Sequence, residues 1–158
     1  MSSLRAVLLV LGVLVGAIAV AGCGSDETDE KDYVTEAQDV ANSFTQSADK
    51  LGKQISELEG LNLKSAGELL QTFSDGVEDL AAQIDDISPP DAVEELHTRL
   101  VDLLENFASK AQQAALALRA GDLLGGLPAL TSFASEATEV GGKVNSTVDQ
   151  IQSKLGVE

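Results

Sequence analysis

Residues 33–58 read Tyr-Val-Thr-Glu-Ala-Gln-Asp-Val-Ala-Asn-Ser-Phe-Thr-Gln-Ser-Ala-Asp-Lys-Leu-Gly-Lys-Gln-Ile-Ser-Glu-Leu. Within them Val34, Ala37, Ala41, Phe44, Ala48, Leu51, Ile55 and Leu58 recur at alternating steps of three and four. That spacing is the a/d seam of a heptad. It marks a helix that packs along its length on partner helices. No stretch of the chain alternates β-branched and aromatic residues with polar ones, so strands are not expected.

The same pattern recurs twice more. Ala66, Leu70, Phe73, Val77, Leu80, Ile84 and Ile87 form a second seam. Ser65-Ala66-Gly67-Glu68 has the form of a capping box, which predicts Ser65 as its N-cap. Ser88-Pro89-Pro90 ends it, because proline lacks an N–H and disfavours helix in the residue before it. Pro90 then suits the first turn of a third helix. The face of that helix is Val93, Leu96, Leu100, Leu103, Phe107, Ala111, Ala114 and Leu118. Asp91, Glu94 and Glu95 at its start and Arg119 at its end suit the helix dipole. A fourth seam runs through Leu123, Leu127, Leu130, Ala134, Ala137, Val144, Val148, Ile151 and Leu155. Gly125, Gly126 and Pro128 weaken its start, so a loose turn is expected over 122–126. Gly141-Gly142 marks either a close helix contact or a bend.

These readings predict an all-α protein, an antiparallel four-helix bundle with heptad-like seams. Its helices fall at about 33–59, 65–87, 90–120 and 127–154 within a domain covering 33–158. Regular seams also suit association between chains, and the oligomeric state stays open.

Composition narrows the function. The 158 residues carry a net charge of −16. Without Arg5, nine bases face 26 acids, a balance of −17 from residue 23 onward. Such a surface repels polyanions, so nucleic acid is excluded as a partner. One cysteine rules out an internal disulfide and a cysteine-based metal site. His97 is the one histidine. Glu94 and His97 have the Glu-x-x-His spacing of carboxylate-bridged di-iron bundles, but those need two such motifs. His97 is therefore expected at the edge of the core, with no metal and no cofactor. No serine, threonine or cysteine has a base placed beside it by a known motif, so no catalytic residue is assigned. Four Phe and no Trp argue against an aromatic-lined ligand pocket. Asn145-Ser146-Thr147 matches a glycosylation sequon, read here as chance.

The N-terminus carries the clearest signal. Met1 to Arg5 is a short segment with one positive charge, and Ala6 to Ala19 is an unbroken apolar run. Val20-Ala21-Gly22-Cys23 follows. Together they resemble the signal peptide and lipobox of bacterial lipoproteins. The resemblance implies cleavage between Gly22 and Cys23 and a diacylglyceryl group on the Cys23 sulfur, with fatty acids such as palmitate. Residues 1–22 are then removed. Leu4 to Ala21 is 18 residues with Arg5 inside, marginal for a span of ~20. Two or more acyl chains give stable membrane retention. Residues 24–32 contain five acids and no apolar side chain, so 23–32 is expected to be a disordered acidic tether.

The remainder resembles small helical envelope lipoproteins of unknown function from high-GC Gram-positive bacteria. The lipobox, the acidic stretch and Ser88-Pro89-Pro90 through His97 carry this likeness. It implies an extracytoplasmic protein lipid-anchored to the cell membrane, non-enzymatic, with a protein-binding or structural role and an envelope protein as partner. The alternative is a carrier or sensor of a lipid or small hydrophobic ligand.

Overall fold

The computed structural model describes residues 26–58, 62–120 and 123–157, and the side chains of 29–58, 62–120 and 125–157. Four helices make up nearly all of it: α1 (Asp26–Ser56), α2 (Leu63–Asp85), α3 (Glu94–Arg119) and α4 (Leu123–Leu155). A single 3-10 turn over Asp91–Val93 leads into α3. Among the described residues there is no strand, and no helix is long and apolar enough to cross a membrane.

Paired residues fix the topology. Gly67, early in α2, lies against Ala115 and Arg119, late in α3. Ser74 donates to the Ala108 carbonyl at 2.8 Å, halfway along both. Gly126 meets Leu118, and Lys110 pairs with Glu136 at 3.1 Å, so α3 and α4 are also antiparallel. Phe44 of α1 faces Gly141 of α4. The chain runs up, down, up, down, and α1 returns to pack on both α2 and α4.

The seams of α1 and α2 lie inward as their spacing requires. Val34, Ala37, Ala41, Phe44 and Leu51 are buried from α1, and Ala66, Leu70, Phe73, Val77 and Ile84 from α2. Helix α3 buries more than one seam. Leu104 is fully buried and Leu103 only partly, contrary to the expected face, and Val101, Ala108 and Ala115 are buried too. The cause is position: α3 packs on both α2 and α4, so two stripes of it leave water.

Four boundaries differ from the sequence reading. Helix α1 begins at Asp26, ahead of the expected start at about 33, so residues 29–32 continue the helix. Acids at a helix start suit the dipole. Asn62, not Ser65, caps α2: its Oδ1 accepts the Ser65 N–H at 3.1 Å. Pro90 stands before the 3-10 turn at φ −58, ψ 140, an extended geometry outside the helix. Helix α4 starts at Leu123 and runs through Gly125, Gly126 and Pro128. A Cβ on Gly126 would sit 3.3 Å from Leu118 and 3.4 Å from Leu63, so the glycine lets α4 begin tight against α2 and α3.

Gly67 marks the closest approach of two helices. A Cβ there would lie 2.6 Å from Arg119 Cγ and 2.9 Å from the Ala115 carbonyl oxygen. Gly76, in the same helix, has nothing within 4 Å of a Cβ. The two sites should respond oppositely to alanine. Gly76→Ala should gain about 1 kcal/mol of stability through helix propensity. Gly67→Ala should lose about 1–3 kcal/mol, because a backbone atom must move. Urea denaturation of the two variants checks the reversal of sign.

Candidate functional site

The four phenylalanines of the chain come one from each helix and meet at one height of the bundle. Phe107 of α3 and Phe133 of α4 stack with centroids 5.1 Å apart. Phe44 of α1 meets Phe107 edge-on at 5.5 Å, and Phe73 of α2 meets both Phe107 and Phe133 edge-on at 5.9 Å. Such pairs contribute about 0.5–1.5 kcal/mol each beyond their burial.

Beside this cluster, α1 and α4 stand apart. A groove of about 750 Å³ opens between them. Phe44, Phe73 and Phe133 form its floor, and Ala48, Leu51, Ile55, Leu130, Ala134 and Ala137 are among its walls. Most of these are seam residues, expected in the core. Leu51 is buried, but Ala134 lies exposed and Ala137 half-buried. Interdigitation needs knobs large enough to fill the facing holes. At this level the facing positions are Ala48, Ala134, Ala137 and Gly141, which are too small to close the gap.

Three glycines line the same groove. A Cβ on Gly52 or Gly142 would meet nothing within 4 Å, and one on Gly141 only Phe44 at 3.8 Å. Gly141-Gly142 is therefore neither a close helix contact nor a break: α4 runs through it as helix. Each helical glycine costs about 1 kcal/mol relative to alanine. No packing constraint accounts for that cost at Gly52 or Gly142. What the glycines provide is room.

The polar groups of the groove are few. Thr45, Thr131 and Thr138 each donate the hydroxyl proton to the carbonyl four residues back, on Ala41, Leu127 and Ala134. Among the described residues Asp49 is the one charged side chain on the wall, and Asn145 supplies an amide.

His97 lies elsewhere, at the opposite end of the bundle. It is buried, with Tyr33 Oη 3.0 Å from its Nδ1. With the ring proton on Nε2, the Tyr33 hydroxyl donates to Nδ1 and ties α1 to α3. Burial holds the imidazole below its ordinary 6.5, opposed by the Asp85 carboxylate. Burial also pushes the Tyr33 hydroxyl up to about 12. Glu94 is exposed, with no other inward carboxylate beside it. Among the described residues no group of three or more His, Cys, Asp or Glu side chains is placed to hold a metal. Val20, Ala21, Gly22 and Cys23 lie outside the described residues.

The groove was not foreseen, because four Phe in 158 residues read as too few. What matters is that they converge. A signal was present: alanines and glycines occupy 48 and 52 on one helix and 134, 137, 141 and 142 on another. In an antiparallel pair those positions face each other. Comparison with protein-family models, curated proteins and solved structures gives no match.

The Tyr33–His97 pair makes stability depend on pH. Unfolded, His97 takes a proton near pH 6.5, and folded only at lower pH. In that interval the unfolded chain binds more protons, so stability falls as pH drops below 6.5. The unfolded phenol ionises near 10 and the folded one at about 12, so stability also falls as pH rises between those values. Melting temperatures from pH 7.5 to 5 should fall more steeply for wild type than for His97→Gln. Tyr33→Phe should lose about 1–3 kcal/mol at pH 7.5, since Nδ1 loses its buried partner.

Proposed function

We propose that this chain is a membrane-anchored envelope lipoprotein that works by binding, and that the α1–α4 groove is its binding site for a small hydrophobic ligand. The observation that carries the reading is the groove itself. About 750 Å³ of space over an aromatic floor falls within the ~300–1,000 Å³ usual for small-molecule sites, which are mostly apolar with a few polar groups. Liquid water takes ~30 Å³ per molecule. Filling the groove with water would place roughly 25 molecules against walls with few hydrogen-bond partners, and an apolar occupant would release them.

The anchor rests on the run Ala6–Ala19 followed by Val20-Ala21-Gly22-Cys23. Lipid on Cys23 would hold the bundle at the extracytoplasmic face of the cell membrane. The α1 end of the bundle would then lie nearest the bilayer. The groove begins at Phe44, 18 residues along α1 from Asp26, or ~27 Å at 1.5 Å per residue. Along α1 it would therefore stand clear of the membrane surface, where a carrier or sensor meets ligand in the aqueous phase.

A second reading, docking of an envelope protein, is favoured by Leu116 at 58% and Leu127 at 37% exposure. Both flank the α3–α4 turn. Mixed-polarity surfaces carry such residues singly, so this reading is the weaker one.

Metabolic labelling with a palmitate analogue tests the anchor. Wild type should take up label and Cys23→Ala should not; an unlabelled wild type removes the anchor from the proposal. N-phenyl-1-naphthylamine, whose fluorescence rises in apolar sites, tests the groove. Ala137→Leu and Gly142→Leu should each lower its binding to the full chain by about tenfold or more while leaving the melting temperature equal or higher, since Leu gains helix propensity over Gly142 and buries more apolar surface than Ala137. Unchanged probe binding in both variants would remove the groove as the site.

A further inference from the structure

Helix geometry and the polar atoms of the groove together restrict its occupant, given the reading of it as an apolar ligand site. From Phe44 to Ile55 the groove follows α1 for 11 residues, or ~17 Å. It is long, floored by Phe44, Phe73 and Phe133, and flanked by two nearly parallel helix walls. That shape suits one extended aliphatic chain.

The polar rim is one-sided. The hydrogens of Thr45, Thr131 and Thr138 are committed to their own helices at 3.0, 3.0 and 3.3 Å, so these hydroxyls offer acceptor lone pairs only. Asp49 as carboxylate is acceptor-only as well. Among the described residues no Lys, Arg or His lines the groove, and the whole chain carries −16. Only the Asn145 amide adds donors. Carboxylate and phosphate heads bring negative charge and further acceptors, and both are mismatched here. A quaternary ammonium brings the right sign but no donor. Hydroxyl groups bring donors without charge.

We propose that the groove binds a neutral monoacyl lipid, a single aliphatic chain bearing a hydroxylated, uncharged head. The chain lies along the phenylalanine floor and the head hydroxyls donate to Asp49 and the threonine oxygens.

Displacement of N-phenyl-1-naphthylamine from the full chain carrying Cys23→Ala tests this, with the signal that survives in Ala137→Leu subtracted. The competitors are monolauroylglycerol, laurate and dodecyltrimethylammonium, all with twelve-carbon chains and used below their aggregation concentrations. Monolauroylglycerol should displace the probe at least ~5-fold more tightly than either charged competitor. That is the scale of one unit-charge contact at the surface. Asp49→Lys should reverse the order, bringing laurate ahead of the glyceride. Probe binding that depends on Ala137 but yields equally to all three competitors, or best to a charged one, overturns the ligand class and leaves the groove standing. Asp49→Lys without effect on the order also overturns it. Absence of any groove-dependent probe signal removes the underlying site instead, so the two failures are separable.

Discussion

Phe44, Phe73, Phe107 and Phe133 are the point where all four helices are held together. Elsewhere the core is built from Leu, Val, Ile and Ala, which fill space without preferred mutual orientation. The aromatic cluster adds preferred ring geometry, which fixes how far α1 and α4 each stand from α2 and α3. Below it, toward the start of α1, Tyr33, Val34, Ala37 and Val40 pack inward and Tyr33 bonds to His97. Beside it the facing side chains shrink to alanine and glycine, and the seam between α1 and α4 opens. The groove is therefore a product of the same cluster that stabilises the bundle. The phenylalanines set the spacing, and the small residues leave it unfilled.

The architecture was readable because it rests on periodicity. Steps of three and four in residues 34–58 and 66–87 identify buried faces without knowledge of the partners, and those faces are the observed ones. Periodicity does not say how many neighbours a helix has. For this reason the α3 face was drawn through Leu103, whereas a helix with two neighbours buries Leu104 as well. Nor does it say how near a neighbour stands. Gly126 was read as a helix breaker, yet it is a place where α4 meets Leu118 and Leu63 too closely for a side chain. The start of α1 was read from apolar content alone, and helix formation over 26–32 needs none.

The site was less legible for a related reason. A seam of alanines reads as close packing, because alanine lets helices approach. Gly67 shows that outcome between α2 and α3. Between α1 and α4 the same small residues leave a void, because Phe44 and Phe133 each dock on Phe73 and Phe107. Which result follows depends on the largest side chain at the neighbouring level, and that is a three-dimensional property. His97 illustrates the point in reverse. Its place at the edge of the apolar stripe was visible, but Tyr33, 64 positions earlier, was not identifiable as its partner.

The unequal packing of α1 has a mechanical side. Its first half is clamped by the Tyr33–His97 bond and by tightly packed Val34 and Ala37, and its second half borders open space. A pull on the chain ahead of Asp26, such as an anchor at Cys23 would transmit, enters at the clamped half. The strain is then taken up in that half, and the open half keeps its gape whatever the load.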